Sequence, residues 1–141
     1  MMTITDILEN TNYLAVLVAG IAYFAIGALW YSKMMFGNAW MHAIGKTQEE
    51  LQGGPKAAYL FTLLAEIVVA FGLAGVLQVV NGQHTVILGI KVGAACALLF
   101  CFSTMLVNSS FSQRPAKLLF IAFGYHLVGF MIAGAIVSIW R

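Results

Sequence analysis

The stretch AAYLFTLLAEIVVAFGLAGVLQVVNGQHTVILGI, residues 57–90, carries one charged side chain, Glu66, and one strong turn signal, Asn81-Gly82. A bilayer core of ~30 Å takes about 20 residues of helix. The run is too long for one crossing, and the Asn-Gly pair divides it, so it reads as two membrane helices joined by a tight hairpin. Outward from it, charge-free runs extend from Asn10 to Ser32, from Val92 to Gln113 and from Leu118 to Trp140. Four spans follow, over residues 12–31, 56–80, 85–107 and 115–139, in one domain covering 1–141. The runs are apolar all round, which excludes the alternation of membrane β-barrel strands. The predicted fold class is an all-α integral membrane protein, a four-transmembrane-helix bundle.

Composition points the same way. The chain is 62% hydrophobic and 9% charged, with a mean hydropathy of +0.93. Soluble domains run to about 25% charged. Seven Lys/Arg and five Asp/Glu cannot solvate a globule of 141 residues, and they form no basic face. A soluble enzyme, a disordered tail and a nucleic-acid binder are therefore excluded. Cys96 and Cys101 lie in one apolar run, so neither a disulfide framework nor a CxxC metal site is present. No cofactor and no metal is expected, and the partner implied is the lipid bilayer; protein partners are not legible.

Lys33, Lys46, Lys56, Arg114 and Lys117 fall in the first and third connections, against Arg141 alone on the opposite side. The positive-inside bias then puts both termini on the non-cytoplasmic side of a cytoplasmic (inner) membrane. Pro55 and Pro115 stand where helices begin. In the first connection Asn38 is placed to cap a short interfacial helix through Ile44, ended by Gly45, and Thr47 to Glu50 has capping-box spacing. Trp30, Tyr31, Trp40 and Trp140 are placed as interfacial aromatics. A weaker apolar piece, Thr3–Asn10, is expected on the opposite side.

Ala28-Leu29-Trp30-Tyr31-Ser32, followed by Met35-Phe36-Gly37-Asn38-Ala39-Trp40-Met41 and Gly45, resembles the first-loop signature of a bacterial membrane family. Gly124-Tyr125-His126-Leu127-Val128, with Gly134-Ala135-Ile136 and Trp140, is similar to the last span of the same family. That family is domain of unknown function 1761. The resemblance covers nearly the whole chain and implies a four-span membrane protein, with no activity to carry over. The family typically has proline after the Tyr-Ser pair, where this chain has Lys33.

Charges inside spans cost about 2.5–3.5 kcal/mol at the centre, so each needs a reason. Glu66 lies ten residues past Lys56, ~15 Å deep at 1.5 Å per residue. It must be protonated, paired or facing a wet cavity. His126, eleven residues past Pro115, and Tyr23 on the first helix fall at a similar depth, and Lys91 lies ~10 Å below the opposite surface. This depth agreement permits a Glu66–His126 hydrogen bond with Lys91 or Tyr23 nearby. Small residues predict where helices touch: Gly89 and Gly93 with Ala97, Gly129 and Ala133 beside His126, Ala58, Ala65 and Gly72 beside Glu66, and Gly20 and Gly27. Lys91 lies roughly opposite the Gly89/Gly93 stripe, so a homo-oligomer is expected. The favoured function is a non-enzymatic structural or interaction subunit. The competing reading is a proton- or ion-linked transporter or channel using Glu66 and His126. A membrane-embedded enzyme ranks last, because no third group orients Cys96 and His126.

Overall fold

The computed structural model describes residues 3–80 and 84–140, so the expected Asn81-Gly82 turn and Arg141 lie outside the described residues. Within them the chain is helical, and four helices are long and apolar enough to cross a membrane. A short helix α1 (Ile4–Glu9) precedes the first span, α2 (Tyr13–Trp30). Asn12 starts α2: its side-chain oxygen accepts from the Leu14 and Ala15 amides, both at 3.1 Å. Two short helices, α3 (Gly37–Ile44) and α4 (Gln48–Leu51), occupy the first connection, and the second span is α5 (Lys56–Val79). The third span is continuous but composite, with α6 (Val86–Cys96), a π-helical turn (Ala97–Phe102) and α7 (Ser103–Ser112). The fourth span is α8 (Ala116–Ile139). Pro55 and Pro115 stand one residue before α5 and α8, where a missing N–H is harmless.

Two expectations about boundaries are corrected. The third span continues past Val107 to Ser112, because Ser110 and Ser112 donate back to the carbonyls of Leu106 and Asn108 and keep their polar groups within the helix. It ends where Gln113 turns left-handed, at φ 51°, ahead of Arg114-Pro115. Asn38 is not a cap. The Phe36 amide donates to the Trp30 carbonyl and the Gly37 amide to that of Ser32, so the chain folds straight from α2 into α3 and Asn38 sits within its first turn. Gly45, left-handed at φ 67°, does end α3. Thr47 and Glu50 do form a reciprocal box at the start of α4, and Thr3 and Asp6 form a second one at α1.

Helix α8 is the centre of the molecule: α2, α5 and α6 all pack against it, and α2 also packs against α5. α5 and α6, though consecutive, meet little. The arrangement is a three-helix core of α2, α5 and α8 with the α6–α7 span laid along the far side of α8. Backbone contact seals that outer seam. A Cβ added at Gly89 or Gly93 would land on the carbonyls of Gly134 and Phe130, so glycine alone permits the approach. The core itself holds Val16, Ala19, Tyr23, Ala70, Leu73, Ala74, Leu77, Tyr125, Ala133 and Val137. On α5 the buried face is Glu66, Ala70, Leu73 and Leu77, whereas Ala58, Ala65 and Gly72 are exposed. That corrects the expected packing stripe on this helix. Residue 65 is one step, about 100°, around the helix from Glu66, and turning Glu66 inward turns this stripe outward.

Candidate functional site

Helices α2, α5 and α8 each contribute to a polar cluster near mid-span. Glu66 is 4% exposed, Tyr23 1% and Tyr125 5%. The Tyr125 hydroxyl donates to Glu66 Oε1. The Tyr23 hydroxyl and His126 Nδ1 stand 2.6 Å apart, within hydrogen-bond distance. The tyrosine rings join the two pairs, with centroids 5.3 Å apart and planes tilted by 59°. Glu66 Oε2 is buried without a hydrogen-bond partner. An unpaired buried carboxyl oxygen costs free energy, so this atom is the least satisfied point of the cluster.

The cluster continues toward the first connection through aromatic contacts. Tyr31 packs edge-on against Tyr125 at 5.7 Å and against Trp40 at 5.6 Å. The Trp30 indole donates to the Ile121 carbonyl of α8 at 3.0 Å and its ring lies 4.6 Å from that of Phe36. Trp30, Tyr31, Phe36 and Trp40 therefore bind α2 and α3 to α8, while Trp140 at the other end is 41% exposed. Gly129 lies directly under the Tyr23 ring, where a Cβ would overlap it, and Ala133 is fully buried one turn on. At the end where α5 stops, Gln78 donates to Thr11 Oγ1 at 2.9 Å and the Ser138 hydroxyl to the Thr85 carbonyl at 2.9 Å.

The structure thus brings together Glu66, Tyr23 and His126, but in a different pairing from the Glu66–His126 bond that depth permitted. Glu66 reaches Tyr125, and His126 reaches Tyr23. Lys91 is not part of the cluster; it is exposed on α6, away from the glycine seam. Tyr125 is the residue that sequence reasoning passed over. Its signal was its place beside His126: a phenol at the depth of Glu66, about 100° around α8. Cavities lie at the ends of the helices among the described residues. One of about 100 Å³ opens between α7 and α8, and one of about 10 Å³ lies among Asn10, Thr11, Gln78 and Val137. Glu66 lines neither. Among the described residues no three His, Cys, Asp or Glu side chains converge as a metal site.

No curated protein and no solved structure matches the chain. The model of one family, described as Protein of unknown function (DUF1761), matches residues 14–138, from the first turn of α2 to the last turn of α8. The match takes in all four long apolar helices but for Tyr13 and Ile139 at their outer ends, and the chain belongs to this family.

Proposed function

We propose that the protein is a small non-enzymatic membrane subunit, structural or interaction-forming, whose intramembrane polar cluster sets the register of α2, α5 and α8. One observation carries this reading: the Tyr125 hydroxyl of α8 donates to the buried Glu66 carboxyl of α5 inside the helix core. A directional hydrogen bond in hydrocarbon selects one rotation and one depth for each helix, at a modest ~0.6 kcal/mol per link. In this reading the chain resides in a cytoplasmic (inner) membrane, with both termini on the far side from the Lys33, Lys46, Lys56, Arg114 and Lys117 end. Self-association through the outer face of α6, where Lys91 stands, belongs to the same reading.

The competing proton- or ion-linked transport reading draws on the unpartnered Glu66 Oε2. Purified protein in pH-dye-loaded vesicles separates the two. The expected flux is background for both the native chain and Glu66→Gln, while Tyr125→Phe, which leaves both Glu66 oxygens unpartnered, lowers stability by about 1–3 kcal/mol. Native flux above background that Glu66→Gln abolishes would overturn the structural reading. A fluorescent protein fused after Arg141 is expected to stay dark in cells, and bright fusions would reverse the orientation.

A further inference from the structure

The face that α6 and α7 present to α8 changes character along its length. Above the π-helical turn it is Gly89 and Gly93, seated on the α8 backbone. Below the turn it is Met105, Asn108, Ser109 and Ser112, and there α7 touches α8 at few points. Between them lies the cavity of about 100 Å³, closed on the other side by Leu118, Leu119 and Ala122 and with Arg114 at its rim. Asn108, Ser112 and Arg114 on its wall are exposed, so the space is an open cleft that receives one part of a larger occupant and not an enclosed cavity. π-helical turns inside α-helices recur at functional sites, and this one stands where the seam stops being sealed.

The lining is divided in a way that constrains its occupant. The Ser112 hydroxyl is spent on the Asn108 carbonyl at 2.6 Å, so the Asn108 amide, the Ser109 hydroxyl and the Arg114 guanidinium are the groups left to meet a ligand. Arg114 immediately precedes the proline that opens α8, which places it at the level where a span leaves the hydrocarbon. Met105, Leu119 and Ala122 form an apolar floor running into the membrane. A planar cation at headgroup depth, two neutral hydrogen-bonding side chains beneath it and an apolar slot leading inward suit a phosphate ester carrying acyl chains.

We propose that the α7–α8 cleft is a binding site for an anionic phospholipid of the adjacent leaflet, its phosphate held by Arg114 with Asn108 and Ser109 and its chain lying along Met105, Leu119 and Ala122. The apolar floor selects a lipid over free phosphate. The site is independent of Glu66 and of any oligomer.

Native mass spectrometry of protein extracted from vesicles of phosphatidylglycerol and phosphatidylcholine tests it. Native protein is expected to retain phosphatidylglycerol in preference to phosphatidylcholine. Arg114→Gln should lose that retention about tenfold, the loss of one charge-assisted hydrogen-bond set. Ser109→Leu, which fills the cleft without changing charge, should do the same, while Lys117→Gln, at the same end but outside the lining, should stay within about twofold. Thermal melting in lipid-free detergent confirms that each variant is folded. Equal losses in Arg114→Gln and Lys117→Gln would reduce the effect to general surface charge and overturn the site. So would full retention by Ser109→Leu, or inorganic phosphate displacing the lipid at equal concentration.

Discussion

Gly129 and Gly72 are both glycines inside spanning helices, yet a methyl group added to each meets opposite surroundings. At Gly129 it overlaps the Tyr23 ring, which is fixed between Tyr125, His126 and Phe130. At Gly72 nothing lies within 4 Å. Gly129→Ala is therefore expected to destabilise the protein by about 1–3 kcal/mol through overpacking. Gly72→Ala should be neutral or stabilising by up to ~1 kcal/mol, the helix-propensity gain. Thermal unfolding of both variants in one detergent checks the pair, and similar shifts would mean that the ring is free to move aside. The same scale shows what a sequence conveys. Counting residues from Lys56, Pro115 and Tyr31 puts Glu66, His126 and Tyr23 at one depth, because rise per residue is a local property. Partner choice was not legible. It depends on the rotation of each helix, set by contacts such as Gly20 against Ile67 and Gly129 against Tyr23, which no single helix encodes.

At the level of elements, the polar ends are where local rules and the structure meet most closely. The Glu50 carboxylate accepts from the Thr47 amide at 2.7 Å, and the Thr47 hydroxyl accepts from the Glu50 amide at 3.3 Å. The amide hydrogen bond, reinforced by that of the hydroxyl, holds the Glu50 carboxyl below the usual carboxylate range. A carboxyl lowered on folding adds stability that is complete above the ordinary carboxylate range and is lost as pH falls through the folded value. Protection factors of the α4 amides in micelles, each observed rate set against the intrinsic rate at the same pH, are thus expected to be higher near neutral pH than at about pH 3, with Glu50→Gln flattening the dependence. Pro55, Gly45 and this box were legible because each acts within a few residues. Asn38 misled because a capping side chain competes with backbone carbonyls for the same amides, and here the Trp40 amide it would take already donates to the Phe36 carbonyl. The extension of α7 was hidden for a related reason: serines read as an ending also bond back to their own helix.

Across the whole molecule, low charge content and charge spacing were enough for four spans, but not for their arrangement. The hairpin argument makes α5 and α6 neighbours in sequence, whereas in space each turns to α8. The α6–α7 span is joined to the core chiefly through the Gly89, Gly93 and Gly134 backbone contacts. Gly93→Val is accordingly expected to detach this span without disturbing the Glu66–Tyr125 pair, and to destabilise the protein by about 1–3 kcal/mol in thermal unfolding in detergent. An unchanged unfolding temperature would show the seam to be held elsewhere. The central place of α8 also bears on biogenesis. Chains emerge from the ribosome in order, at about 5–20 residues per second, and α8 comes after the other three spans. Until it arrives, Glu66 enters the membrane without Tyr125, and Tyr23 without His126. A stalled or shortened chain lacking α8 would display an unsatisfied intramembrane carboxyl, a mark by which membrane quality control can tell an unfinished molecule from a finished one.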